Sequence, residues 1–149
     1  MRLTTYTDMG LRALLFLALQ PKGQISRISE ITETYSVSHN HMVKVINQLT
    51  REGLVKGIRG KGGGITLGKP AEYILLGETI QLLEKHLDVV DCSHGNCLLT
   101  GNCRLKDAFS EAMNAFVTVL NNYTLKDMID NRKTLTEVLQ ITEIIPEPY

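Results

Sequence analysis

Apolar residues recur at helical spacing in three segments of the N-terminal half of the chain. The first segment runs from about Thr5 to Gln20, and Pro21 and Gly23 end it. Its apolar residues fall at i, i+3, i+4 and i+7: Leu11, Leu14, Leu15 and Ala18. The segment therefore predicts a helix with one buried face.

Two shorter helices are predicted next. Ser26 is expected to cap the second helix. Its apolar stripe consists of Ile28, Ile31 and Tyr35. Ser38 is expected to cap the third helix, which ends at Gly53. Its buried face consists of Met42, Val45, Ile46 and Leu49.

The polar side of the third helix carries groups that hydrogen-bond to base edges and phosphates. These residues are His39, Asn40, His41, Lys44, Gln48 and Arg51. They cluster toward the N-terminal end of the helix, which is the end that enters the major groove in helix-turn-helix proteins. A solvated polar face is the alternative interpretation.

Two short β-prone runs, at 54–58 and 65–67, flank a glycine-rich turn and predict a hairpin with Arg59 and Lys61 at its tip. A hairpin directly after a recognition helix is typical of a wing, whose Arg can reach an adjacent minor groove. The same segment contains Gly-x₄-Gly-Lys, as in a phosphate-binding loop. Pro70 stands where that loop needs Ser or Thr, and no buried strand precedes it, so nucleotide binding is disfavoured.

The C-terminal half predicts a helix at about 77–87, a loop at 88–102 and a long helix from Cys103 to Tyr123 capped by Asn102. Along the long helix apolar residues recur in steps of four and three: Leu105, Phe109, Ala112, Phe116, Val119 and Tyr123. This heptad seam could pack within the monomer. Self-association is favoured, because a chain with one helix-turn-helix normally pairs to read two half-sites.

The final segment predicts little structure. Thr124 to Asp127 fits a capping-box start for a last short helix. Beyond Asn131 the periodic pattern weakens, and the last residues are expected to be frayed.

The charge is divided between the two halves. Sixteen Lys and Arg balance sixteen Asp and Glu, and this neutral sum alone argues against nucleic-acid binding. The first seventy residues, however, hold ten basic and four acidic groups, a net charge of +6, and the remainder carries −6. This asymmetry favours a polyanionic partner for the first half. We expect a mainly α fold, with a winged helix-turn-helix domain at 1–70 and a cysteine loop with a dimerisation helix at 71–149.

Three cysteines lie within twelve residues, and their odd number favours a metal or redox cluster over disulfides. Cys92 and Cys97 fall on the predicted loop, and Cys103 begins the long helix, where the helix N-terminus and neighbouring cations favour thiolate. The spacing is wrong for a zinc knuckle, and the fourth ligand is missing unless His86 or His94 supplies it. An iron–sulfur cluster, zinc and unmetallated thiols all remain open.

Three long motifs and the cysteines resemble the nitric-oxide-sensitive repressors of the NsrR family, within the iron–sulfur winged-helix regulators that also include IscR. The motifs are LTTYTDMGLRAL at 3–14, VSHNHMVKVINQL at 37–49 and RGKGGGITLGKP at 59–70. The resemblance extends over about residues 1–130. It implies a homodimeric repressor whose intact cluster supports operator binding, and which releases DNA when nitric oxide nitrosylates the cluster.

The resemblance also implies the cluster ligands. Cys92, Cys97 and Cys103 match the family's cysteines, and Asp8 of the partner subunit matches the fourth ligand of a 4Fe–4S cluster. Such a cluster would bridge the subunits and fix the spacing of two recognition helices. IscR-like proteins use a nearby His and a 2Fe–2S cluster, but Asp107 follows the third cysteine here, which favours NsrR.

The helix-turn-helix and the expected pairing predict a palindromic double-stranded operator as the partner, and the resemblance implies nitric oxide as the signal. The expected DNA contacts are Arg12, Ser38, His39, Asn40, His41, Lys44, Arg59 and Lys61. A regulator of iron–sulfur or oxygen status and a zinc-stapled or cluster-free DNA-binding module are the alternatives. An enzyme is not expected, because no nucleophile–base arrangement or cofactor motif accompanies the thiols. We expect a cytoplasmic protein, since the sequence predicts neither a signal peptide nor a membrane span.

Overall fold

The computed structural model describes residues 2–90, 92, 97–99 and 102–141. Within these ranges the elements are α1 (Thr5–Leu19), α2 (Ile28–Tyr35), α3 (His39–Arg51), β1 (Val55–Ile58), β2 (Gly64–Leu67), α4 (Leu76–Leu83), α5 (Arg104–Leu120) and α6 (Arg132–Val138), with 3₁₀ turns at Ala71–Tyr73 and Asp127–Ile129. None of the helices in these ranges combines the length and apolar character that crossing a membrane requires.

Helix α1 is the central element of the core. It begins at Thr4, whose hydroxyl accepts a hydrogen bond from the Thr7 N–H at 3.3 Å. The predicted helix is confirmed, but only Leu14 and Ala18 of the predicted stripe are buried, and Leu11 and Leu15 are half-buried. The buried surface also includes Met9, Ala13, Phe16, Leu17 and Leu19. The helix is buried this widely because α3, α4, α6 and the sheet all contact it.

The start of α2 corrects one sequence prediction. Its N-cap is Arg27, whose N–H donates to Glu30 Oε2 at 3.0 Å, and not Ser26. Ser26 instead exchanges backbone hydrogen bonds with Ile65 at 2.8 and 2.9 Å, and its side chain is fully buried. The pairing with the sheet competes with the capping role, and it places Ser26 beside the hairpin.

Strands β1 and β2 form the predicted antiparallel hairpin, with Val55 opposite Leu67 and Ile58 opposite Gly64. Gly60 and Gly62 at its tip have φ values of +101° and +81°, a region that favours glycine. The backbone bridge from Ser26 to Ile65 fastens this hairpin to the segment that leads into α2. The wing is therefore held at a fixed place beside the helix-turn-helix.

The C-terminal half differs from prediction at three helix ends. Helix α5 ends at Leu120, with Asn121 as its C-cap, and not at Tyr123. Helix α4 ends at Leu83, and not near 87, because Glu84 has extended backbone angles. Helix α5 has Cys103 as its N-cap residue, and not Asn102. The two helices pack closely at Gly77, and the Glu78 N–H donates to Asn121 Oδ1 at 2.9 Å.

The predicted capping box is confirmed by geometry, although it begins a 3₁₀ turn. The Thr124 N–H donates to Asp127 Oδ2 at 2.7 Å, and the Asp127 N–H donates to Thr124 Oγ1 at 3.2 Å. These hydrogen bonds hold the pKa of Asp127 below its usual value. Past Asn131, where the pattern weakens, the chain forms α6, and Arg132 of α6 donates to the Ala18 and Leu19 carbonyls at the end of α1. The predicted frayed tail, at 144–149, lies outside the described residues.

Candidate nucleic-acid interface and cysteine site

The N-terminal turn of α3 presents its polar side chains to solvent. Ser38 is the N-cap, as predicted, and its hydroxyl accepts from the His41 N–H at 3.5 Å. The predicted apolar face is buried on the opposite side. The exposed residues of this surface, which we call the α3 polar face, are His39, Asn40, His41 and Lys44. These side chains offer donors and acceptors without a competing role in the core.

Gln48 does not belong to this exposed set. Its Oε1 accepts from the Tyr6 hydroxyl at 2.7 Å, and its Nε2 donates to the Leu82 carbonyl at 2.8 Å. Burial raises the pKa of Tyr6, against an opposing effect of Arg51, so its phenol remains a proton donor at neutral pH. The amide of Gln48 is thus committed to contacts within the chain, which helical spacing alone did not reveal.

The wing presents Arg59 and Lys61 as exposed side chains at its tip. Lys56, on β1, is also exposed. These cations lie on the hairpin that follows α3 directly, so the basic groups and the α3 polar face belong to consecutive elements. Positive charge of this kind binds phosphate without sequence preference.

Two residues with separate predicted roles form an ion pair on α1. Arg12 Nε lies 2.9 Å from Asp8 Oδ2, and the two side chains are 44% and 50% exposed. The Arg12 guanidinium also lies over the ring of Tyr35, 5.6 Å from its centroid. Burial raises the pKa of Tyr35, against the opposing charge of Arg12. The i,i+4 spacing in the sequence permits this ion pair. The two residues nevertheless have different predicted roles, Asp8 as a cluster ligand and Arg12 as a DNA contact.

The three cysteines line one cavity of about 450 Å³ at the start of α5. Cys92 and Cys97 are exposed, and Cys103 is half-buried. Arg104, Lys106 and Asp107 of the first turn of α5 also line this space, which we call the cysteine cavity. The structure therefore places the predicted thiols around one cavity, beside two cations and the N-terminus of α5.

The donor set of this cavity fits an iron–sulfur cluster, because thiolates are the ligands that such clusters take. Within the described residues, no three His, Cys, Asp or Glu side chains are close enough to hold a single metal ion. His86 is exposed and lines a neighbouring cavity of about 580 Å³ that also includes Cys92. His94, the other predicted fourth ligand, lies outside the described residues.

The predicted heptad seam of α5 faces outward. Leu105, Val119 and Tyr123 are 59%, 55% and 46% exposed, and Val117 is the buried residue of this helix. Phe109 and Phe116 of the seam are half-buried, so the protomer covers the seam only in part within the described residues. An apolar stripe of this length on one helix is typical of a surface that a second protein chain covers.

One buried carboxylate was missed by the sequence analysis. Glu84 is 8% exposed, and its Oε1 accepts from the Thr4 N–H at 2.6 Å and from the Thr4 hydroxyl at 3.1 Å. A carboxylate at a helix N-terminus is favourable, and here it joins the end of α4 to the start of α1. No local signal pointed to it, because its partner lies 80 residues away.

Comparison with known proteins identifies the type of domain. A family model described as Rrf2, iron-dependent transcriptional regulator, matches residues 3–131. CymR (YrzC), the global cysteine regulator of B. subtilis, is 25% identical with a TM-score of 0.72, over 88% of this chain and 98% of that chain. The oxidized form of Staphylococcus aureus CymR is 27% identical with a TM-score of 0.70, over 87% and 97%. IscR of T. potens, at 24% identity, has a TM-score of 0.72 over 91% and 90%, which shows the fold alone. These matches confirm the predicted mainly α, winged-helix fold.

Proposed function

The chain belongs to the Rrf2 family of transcriptional regulators, and on that premise we propose that it is a homodimeric repressor of the NsrR type, which senses nitric oxide through an iron–sulfur cluster. The family match identifies the chain as a DNA-binding transcriptional regulator, and it does not indicate membership of an enzyme family. The observation that supports the finer proposal is the cysteine cavity, because all three cysteines line it together with Arg104 and Lys106.

The DNA-reading surface in this proposal combines the α3 polar face with the wing. Asn40 and the two histidines supply groups that read base edges, while Lys44, Arg59 and Lys61 supply charge for phosphates and the minor groove. Ser38 contributes through the cap that fixes the start of α3. Replacing Asn40 with Ala should change base preference, whereas Lys44→Ala should weaken binding to all sequences and reduce its salt dependence.

Cys92, Cys97 and Cys103 would hold the cluster in this proposal. When bound, the cluster supplies iron that reacts with nitric oxide. Arg104 and Lys106 would stabilise the thiolates, and Cys103 would anchor the group at the first turn of α5. The seam on α5 would form the dimer, so that Cys103 lies at the start of the element that joins the two subunits.

Asp8 is the proposed fourth ligand, supplied to the cluster of the other subunit. In the structure its carboxylate is paired with Arg12, which we propose as a DNA contact. Ligation by Asp8 would break this ion pair and leave Arg12 to its stacking on Tyr35 and to phosphate. Asp8→Asn therefore tests both assignments, and Glu33→Gln, which removes an exposed charge on α2, is the matched control.

Anaerobic purification with iron analysis tests the cluster proposal. The wild-type chain should contain iron and absorb visible light, and Cys103→Ser should lose both while retaining its helix content. Ser110 lies about two turns beyond Cys103 along α5, and Ser110→Ala should retain the iron. A colourless, iron-free wild-type protein under these conditions would overturn the proposal. A cluster that responds to oxygen or iron supply but not to nitric oxide would instead support the IscR-type alternative.

A cluster-free regulator is the second candidate. It is favoured by the exposure of Cys92 and Cys97, and by the 25% identity to CymR, the global cysteine regulator of B. subtilis. In that case the exposed thiols of Cys92 and Cys97 would respond through their own chemistry. The same preparation distinguishes the candidates, because a cluster-free regulator binds its operator with full affinity without iron.

A further inference from the structure

One side chain joins three helices near the DNA-reading surface. Gln48 of α3 donates its amide N–H to the Leu82 carbonyl at 2.8 Å and accepts the Tyr6 hydroxyl at 2.7 Å. The same hydroxyl lies 3.2 Å from the Lys44 carbonyl, one turn earlier on α3. Both ends of the Gln48 amide are therefore used within the chain, and each contacts a different helix.

The Leu82 carbonyl is suited to this contact. It belongs to the last turn of α4, and carbonyls in the last turn of a helix lack a partner within that helix. Gln48 supplies a donor from 34 residues away. The end of α4 is thus fastened to α3 by this bond, and two residues later Glu84 fastens it to the start of α1.

The end of α4, where these contacts lie, is close in sequence to the first cysteine. This cysteine, Cys92, lies only eight positions after Glu84 in the chain. The segment that reaches the cysteine cavity therefore starts from a point that is hydrogen-bonded directly to the recognition helix. The Leu82 carbonyl at the start of this segment is bonded to Gln48, which lies one turn beyond Lys44 of the α3 polar face.

We propose that Gln48 is a positioning residue, which sets α3 against the end of α4 and couples the state of the cysteine segment to operator affinity. The coupling rests on the proposed sensing function, whereas the positioning of α3 does not. Gln48 does not contact bases in this proposal. Its two hydrogen bonds also have separate roles: the bond to Leu82 carries the coupling, and the bond to Tyr6 orients the amide.

Three variants separate these roles. Gln48→Leu removes both hydrogen bonds, and Gln48→Glu keeps an acceptor for Tyr6 but has no N–H for Leu82. Tyr6→Phe removes only the bond to α1. Asn47→Ala changes the exposed neighbour on the same helix and is the control. Thermal unfolding of each variant verifies that it folds.

The first measurement compares affinity for an operator, selected from random duplex DNA by the wild-type protein, with affinity for unselected duplex. Gln48→Leu should lower operator affinity about five-fold or more and change affinity for unselected duplex less than about two-fold, a coupling in the usual range. Asn47→Ala should change neither. An equal loss on both DNAs, or no loss, would overturn the positioning role.

The second measurement compares operator affinity of iron-loaded and iron-depleted protein. The ratio of the two affinities should fall about five-fold or more in Gln48→Leu and Gln48→Glu, and remain unchanged in Tyr6→Phe. An undiminished ratio in Gln48→Glu would overturn the coupling. If the wild-type protein itself shows no difference between the two states, the proposed sensing function fails, the coupling is refuted with it, and the first measurement still decides the positioning role.

Discussion

Val119→Lys tests the dimer that the apolar seam predicts. Val119 lies in the last turn of α5 and is 55% exposed in the protomer, so little of its packing within the subunit is lost. A lysine in the last turn of a helix complements the helix dipole. It also lies about 24 Å along the helix from Cys103, at 1.5 Å per residue, so the cysteine cavity is left intact. The substitution therefore acts on association and not on folding or iron content.

The expected magnitude follows from the exposed area. Burying a valine or leucine side chain fully contributes about 1.5–3 kcal/mol, so covering the exposed half of Val119 contributes about 1 kcal/mol per protomer. A two-fold dimer uses the same patch on both subunits, which doubles this to about 2 kcal/mol. That free energy corresponds to an increase in Kd of about 30-fold. Desolvation of two ammonium groups increases the loss further.

Sedimentation equilibrium of the purified protein measures this change. Asn114→Lys adds the same charge to an exposed position on the opposite side of α5 and should leave the dimer Kd within about three-fold of wild type. If Val119→Lys behaves like Asn114→Lys, the seam is not the dimer interface. Iron content and thermal unfolding should be the same in both variants.

Three further predictions concern contacts that join distant parts of the chain. Glu84→Ala should reduce the free energy of unfolding by about 2 kcal/mol, because it removes a buried carboxylate with two hydrogen bonds, whereas the exposed Lys85→Ala should change it by less than about 0.5 kcal/mol in urea titrations. Ser26→Ala should be neutral or stabilising by about 1 kcal/mol in thermal unfolding, because its buried hydroxyl has no hydrogen-bond partner among the described residues; a loss above about 1 kcal/mol would contradict this. Arg132→Ala should lower the free energy of unfolding by about 2 kcal/mol, because the carbonyls at the end of α1 lose their donor, whereas the exposed Lys133→Ala should not lower it. Equal effects of the two variants on hydrogen exchange at the end of α1 would refute the contact.

Features that depend on neighbouring residues could be predicted from the sequence. The Ser38 cap, the four buried positions of α3 and the Thr124–Asp127 capping box all follow from spacing within a few residues, and the structure confirms them. The outward seam of α5 follows from the same periodicity. These features need only local geometry, which is why the pattern is sufficient.

Contacts between distant segments could not be predicted in this way. Ser26 has the chemistry of an N-cap, but pairing with Ile65 takes it into the sheet. The spacing along α3 predicts Gln48 on the polar, DNA-reading side of the helix, but its amide is hydrogen-bonded to Leu82 at the end of α4. Arg132 orders α6 through carbonyls of residues more than 110 positions earlier, where no periodicity could indicate a helix. In each case the deciding partner is defined only by the folded arrangement.

The candidate site was predicted in part. The thiols share a cavity, as their spacing and the resemblance led us to expect. The roles of Asp8 and of the DNA contacts stay predictions, and the ion pair between Asp8 and Arg12 shows that they are not independent. Residues 93–96, which include His94, lie outside the described ranges, so the fourth ligand follows from the resemblance alone.

The most direct test of sensing is a nitric oxide titration of anaerobically purified protein bound to its selected operator. Visible absorption and fluorescence anisotropy of the labelled DNA are recorded in the same cuvette. The proposal predicts that the chromophore changes and the DNA dissociates over the same range of added nitric oxide, and that Cys103→Ser protein shows neither response. DNA binding that persists unchanged while the chromophore is consumed would contradict it.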